Sequence, residues 1–191
     1  MGNHLVEQIR SRLLFGGAIL VDSYEIFNKA NSIVKKSGTR DPFIIADELG
    51  IKVYFHEFQD LLGMYRIILR QRSIFINSNL DHHWRQMVLA HEIGHDIYHR
   101  HLGESGLKEF TLFKSINNTE YTANTFAAHL LLDNDLVIEY AKEGFDPSQI
   151  ASILNTETNL ILIKICEMNR MGYNFRIPYQ PKKDFLKYIK V

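Results

Sequence analysis

His91-Glu92-Ile93-Gly94-His95 gathers two imidazoles and a carboxylate within five residues. Residues four apart on an α-helix lie one above the other, so His91 and His95 can offer ring nitrogens to one metal ion with Glu92 beside them. That is the H-E-x-x-H zinc arrangement. In a chain with nine histidines the pattern also arises by coincidence, so its context decides. From Leu80 to His101 there is no proline, and Trp84, Val88, His91 and His95 recur at helical spacing. A helix is expected from near Leu80 to about His99, with Asn77, Ser78 or Asn79 as its N-cap.

A zinc site needs a third protein ligand. A second strong helix is expected from Thr119, with Glu120, Ala123, Asn124, Ala127 and Leu131 on one face and Phe126 and Leu130 on an adjoining one. The small residues Ala123, Ala127 and Ala128 let this helix approach another closely. Glu120 can then complete a two-histidine, one-glutamate site, whose fourth tetrahedral position is left to water, as in catalytic rather than structural zinc sites. The competing reading of Glu120 is a first-turn glutamate favoured by the helix dipole. Among the flanking histidines, His82, His83 and His101 read as solvated or capping groups. His99, one turn beyond His95, could line the site.

The elements before the motif read as a scaffold. Residues 3–15 and 24–36 are expected to be packing helices, the second with Ile26, Phe27, Ala30, Ile33 and Val34 on one face and Gly38 as its stop. Asp41-Pro42 starts a short helix with Phe43, Ala46 and Leu49 as its buried stripe, ending at Gly50. Residues 51–55, 64–70 and 73–76 read as strands, with Gln71-Arg72 as the tight connection between the last two. A three-stranded antiparallel sheet is expected, and its edge beside the motif helix could hold an extended peptide as an added strand. Residues 103–118 read as a mobile connection.

The run Ala90-His91-Glu92-Ile93-Gly94-His95, with Glu120-Tyr121-Thr122-Ala123-Asn124-Thr125-Phe126-Ala127-Ala128-His129-Leu130-Leu131 after it, resembles the ImmA/IrrE family of bacterial and phage zinc metallopeptidases. The stretch Asp41-Pro42-Phe43 to Tyr54 and the strand Ile74-Phe75-Ile76-Asn77 fit the same family, and the resemblance spans about residues 41–133. It implies a zincin-like metallopeptidase core, Zn2+ held by His91, His95 and Glu120, Glu92 as general acid/base, and Asn124 orienting a ligand. It further implies cleavage of a helix-turn-helix repressor, which relieves repression. The chain departs from the family's pattern at Thr122, where many members carry a second glutamate, and at Asp133, where a proline usually ends the helix. Tyr65, Tyr98, His99, Tyr121 and His129 are the candidates for stabilising an oxyanion.

After Asp133, helices are expected over 136–142, 147–154 and 159–171, punctuated by Gly144 and Gly172, with Asp146-Pro147 starting the second. The last two have the outline of a helix-turn-helix, but Leu160-Ile161-Leu162-Ile163-Lys164-Ile165 is too apolar for an exposed recognition helix. Core packing or docking of the repressor suits them better. The tail, 181–190, is basic and amphipathic and reads as a solvated or loosely docked terminus.

Composition narrows the class. The 191 residues carry 22 basic and 22 acidic side chains, which gives no basic field of the kind that drives binding to nucleic acid or anionic membrane. Cys166 is the single cysteine, expected to be a buried core thiol. The apolar run Leu13 to Val21 is too short to span a bilayer, is preceded by Glu7 and has no small-residue cleavage site after it. The position that a myristoylation signal would give to Ser or Thr holds Val6. A cytoplasmic protein is expected.

The expected architecture is α+β and mainly helical: packing helices over 1–40, a metallopeptidase core over 41–135 with the small sheet, and a helical C-terminal region over 136–191. The expected function is zinc-dependent endopeptidase. A zinc-containing regulatory protein that recognises a repressor without efficient hydrolysis is the alternative. The intact Glu92 favours the enzyme, since a pure binding module has no need of a general base beside its ligands.

Overall fold

A computed structural model describes residues 22–103, 116–176 and 181. The helix expected over 3–15, most of the connection over 103–118 and nearly all of the basic tail lie outside the described residues. Within them are seven α-helices and one three-stranded sheet, so the α+β, mainly helical class holds. No described helix is long and apolar enough to cross a membrane.

Helix α1 (Ser23–Ser37) begins where the Asp22 carboxylate accepts from the Tyr24 N–H, and it ends at Gly38, whose φ of 67° closes the helix in the left-handed region. Helix α2 (Pro42–Glu48) is capped by Asp41, with Pro42 in its first turn. Its fully buried apolar residues are Ile45 and Ala46, while Phe43 and Leu49 pack at the margin of the core.

The strands are β1 (Lys52–His56), β2 (Gly63–Ile68) and β3 (Gln71–Asn77), in the order β1-β3-β2. The sheet is mixed, which corrects the expectation of antiparallel pairing throughout: β2 runs antiparallel to β3, but β1 runs parallel to it. The segment joining β1 to β2 carries the chain past the position beside β1, so β3 takes the centre. The connecting turn is also two residues earlier than expected. Leu69 and Arg70, with φ of 50° and 67°, form a two-residue left-handed turn, and Gln71 and Arg72 belong to β3.

Asn77 does not cap the next helix. Its amide donates to the carbonyls of Phe58 and Leu61, and its oxygen accepts from the Asn79 N–H, which clamps the segment between β1 and β2. The cap falls to Asp81, which accepts from the Trp84 N–H and opens helix α3 (His82–Tyr98). A short 3-10 turn, Arg100–Gly103, follows.

Helix α4 (Ile116–Leu131) starts three residues before Thr119. Helices α5 (Asn134–Lys142), α6 (Pro147–Ile153) and α7 (Thr158–Arg170) complete the described chain. Asp133 caps α5 and pairs with Arg40 at 2.7 Å, so a residue that departs from the family's pattern has a structural job here. Asp146 and Gln149 form a capping box on α6. The run Leu160 to Ile165 in α7 is buried and packs toward α4 and α6, so that face of the helix is turned inward. Cys166 is only half-buried rather than a core thiol.

Helix α3 sits at the centre, against α4 on one side and β2, β3 and α2 on others. Every residue from Met87 to Asp96 is buried as a result. Leu89 and Ile93 are fully enclosed, each worth about 1.5–3 kcal/mol of burial. Four polar residues of that run, His91, Glu92, His95 and Asp96, share the enclosure and require partners.

Candidate metal centre

His91 and His95 stand one turn apart on α3, with their Nε2 atoms 3.0 Å from each other. Glu120 reaches in from α4, with Oε2 3.4 Å from His91 Nε2 and Oε1 3.5 Å from His95 Nε2. Among the described residues this is the one group of His, Cys, Asp and Glu whose donor atoms lie mutually within 4.8 Å. A tetrahedral ion with bonds of about 2.0–2.1 Å needs donors about 3.3 Å apart, so the spacing fits such an ion.

Donor chemistry fits as well. His91 Nδ1 lies 2.8 Å from Asn124 Oδ1, and an amide oxygen only accepts, so Nδ1 carries the proton and Nε2 presents its lone pair to the cluster. His95 Nδ1 lies 3.1 Å from His99 Nδ1. The His91 lone pair then faces the Glu120 carboxylate at 3.4 Å, two acceptors that a cation between them would reconcile.

The electrostatics agree. Burial alone would raise the Glu120 pKa, but hydrogen bonds and charge from His91 and His95 outweigh it and hold the carboxyl far below the usual range. Burial disfavours the charged ring of His91, yet Glu120 and Glu92 together raise its pKa. Positive charge is what this pocket favours. Glu92 differs from Glu120: burial pushes its pKa up, with partial relief from the two histidines, and the Tyr65 backbone N–H donates to it.

That backbone donor comes from the sheet. The Asn77 N–H donates to Leu62 O, so pairs in register with it, Met64–Phe75 and Arg66–Ser73, exchange the ladder bonds of β2 with β3. Gly63, Tyr65 and Ile67 therefore turn their backbone groups to the open edge of β2, and Glu92 takes the one from Tyr65. Gly63 is where strand and helix meet: a Cβ there would lie 2.5 Å from Val88 Cγ1 and 3.6 Å from Glu92 Cγ.

The remaining candidates divide. His99 is buried against His95, whereas His82 is exposed and stacks on Phe43, and His83 packs edge-on to Trp84. His129 lies about two and a half turns from Glu120, toward the other end of α4, where Lys164 Nζ approaches its Nδ1 at 3.0 Å. The Tyr121 hydroxyl donates to Glu167 at 2.6 Å, and the Tyr98 ring packs on Phe126. Sequence reasoning missed Asp96, which follows His95 in the motif helix, is buried, and is held by Arg72 at 2.7 Å and Arg100 at 3.1 Å. A charged residue inside the buried stretch of the motif helix was the available signal.

The sequence model of a peptidase family, described as the IrrE N-terminal-like domain, matches residues 46–165. The chain belongs to this family. The match contains both halves of the cluster and runs on through most of α7. A protein of Bacillus phage phi105 named uncharacterized immunity region protein 2 is 34% identical over 133 residues, covering 69% of this chain and 84% of that protein. Metallopeptidase ImmA of Bacillus subtilis (strain 168) is 28% identical over 154 residues, covering 75% of this chain and 85% of the relative. As a member of the IrrE N-terminal-like peptidases, the chain is a metallopeptidase, and the family implies a metal cofactor. The group formed by His91, His95 and Glu120 is where such a metal could be held.

Proposed function

We propose that this protein is a zinc-dependent endopeptidase that cuts a helix-turn-helix repressor in the cytoplasm and thereby relieves repression. The observation that carries the reading is the convergence of His91, His95 and Glu120 with Glu92 buried beside them. The names of the relatives, an immunity region protein and ImmA, support a role in phage immunity.

His91, His95 and Glu120 would hold the metal, and three protein ligands would leave a tetrahedral ion open to water. When bound, zinc polarises the scissile carbonyl and lowers the pKa of its water. Glu92 accepts a proton at its carboxylate during attack and returns it to the leaving amine, a task suited to a carboxyl whose pKa burial raises above its ordinary value. The Tyr65 N–H orients that carboxylate. Asn124 and His99 keep the Nε2 atoms of His91 and His95 turned toward the ion. The open backbone groups of Gly63 and Ile67 receive the substrate as an added strand along β2, which lays the cut bond across the centre.

The test is co-expression with each neighbouring helix-turn-helix regulator, wild type against Glu92→Gln. A shortened regulator with the wild type alone is expected. Cleavage by Glu92→Gln would overturn the mechanism, and no cleavage of any regulator by zinc-loaded wild type would favour a binding role.

A further inference from the structure

The two helices that carry the site touch main chain to main chain at Gly94. A Cβ built there would lie 3.0 Å from Ala123 Cα, 3.1 Å from Ala123 O and 3.4 Å from Ala123 Cβ. Two of those atoms are backbone, which cannot turn aside as a flexible side chain can. Carbon contacts ordinarily sit at about 3.5–4.0 Å, so a side chain at 94 requires α3 and α4 to give by a few tenths of an ångström. Gly94 has no positive φ and lies inside a helix, where alanine is the more stable choice. Glycine is needed here for space.

The contact falls inside the site. Gly94 lies between His91 and His95, and Ala123 between Glu120 and Asn124. Three polar contacts cross the gap beside it: Glu120 to His91 at 3.4 Å, Glu120 to His95 at 3.5 Å, and Asn124 to His91 at 2.8 Å. Glu120 can follow a receding helix by changing rotamer, but the shorter Asn124 has little reach with which to do so.

We propose that the Gly94–Ala123 contact gauges the metal centre, setting the separation of the histidine-bearing and glutamate-bearing helices and hence the size of ion held. Gly94 is then a positioning residue that determines metal preference. The inference rests on His91, His95 and Glu120 being the ligands. Widening the gap spreads the donors beyond the spacing that suits zinc and toward that of a larger divalent ion with longer bonds, such as cadmium.

The experiment measures zinc and cadmium affinities of the full chain by competition with a chromophoric chelator, together with the thermal midpoint of the metal-free protein. Gly94→Ala is expected to lose about tenfold or more in zinc affinity, with a smaller loss for cadmium. Ala123→Gly leaves the main-chain contact intact, so it is expected to lower the thermal midpoint while keeping the wild-type zinc-to-cadmium ratio. An unchanged ratio in Gly94→Ala, or an equal change in Ala123→Gly, overturns the proposal. If Gly94→Ala does not fold, Ala123→Val wedges the same contact from the opposite helix and is read the same way. His91→Ala and Glu120→Ala separate the two ideas. Wild-type zinc binding in those variants would defeat the ligand assignment itself, whereas their loss of zinc beside a wild-type ratio in Gly94→Ala defeats the gauge alone.

Discussion

Asn124 Oδ1 accepts from His91 Nδ1 at 2.8 Å, across the gap between two helices that are separated in sequence by residues 99–115. The bond selects one tautomer of His91 and fixes the ring plane. Asn124→Ala is expected to weaken zinc binding about 10–100-fold, and Asn124→Asp to restore most of it because a carboxylate oxygen accepts the same bond. Chelator competition on the purified variants measures both; equal affinities in the alanine variant and the wild type would refute the role.

Ile67 turns its N–H to the open edge of β2. Ile67→Pro removes that donor without touching the bonds to β3, and proline is tolerated on an edge strand. The expected result is a higher KM for a cleaved peptide, with metal content unchanged. A wild-type KM would show that the substrate is not laid along this edge.

Arg72 joins β3 to the motif helix through Asp96, and its second guanidinium nitrogen also donates to Leu49 O. Removing one member of a fully buried pair costs about 3–5 kcal/mol, but Arg72 is partly exposed and Arg100 remains beside Asp96, so Arg72→Ala should cost about 2 kcal/mol. The shift in the urea unfolding midpoint of the metal-free protein gives the value, and a change within a few tenths of a kcal/mol would mean that Arg100 alone satisfies Asp96.

Lys164 is buried against His129 and the Leu132 carbonyl. Burial, helped by the charge of Arg40, brings its pKa down to about 7 from the ordinary 10.5. Between those values the unfolded chain holds the proton that the folded protein has released, so stability rises with pH, by at most about 1.4 kcal/mol per unit. Below about pH 7 both states are protonated and this dependence vanishes. Lys164→Met should flatten the rise. Urea melts at pH 7, 8 and 9 compare the slopes, and parallel slopes in the two proteins would show that Lys164 is not the group responsible.

How far the sequence reaches is visible in particular residues. His91 and His95 are placed relative to each other by helix geometry alone, so their pairing is readable from the spacing. The caps at Asp22, Asp41 and Asp146 are equally local. Asn77 is not, because its side chain has two uses and only the folded segment between β1 and β2 decides which prevails. The turn at Leu69-Arg70 escaped notice because its left-handed residues are not the Asn-Gly type that announces such turns.

By itself, then, the sequence determined the chemistry: the motif helix, the alanine-rich helix that carries Glu120, the family resemblance and the mainly helical class. Tertiary structure decided what local rules cannot reach. It set the parallel pairing of β1 with β3, turned His129 and Tyr121 away from the centre, joined Asp96 to Arg72 and Arg100, and brought Gly94 against Ala123. Each depends on which surfaces meet once the chain has folded. A helical period specifies which residues share a face, but only packing specifies what that face touches.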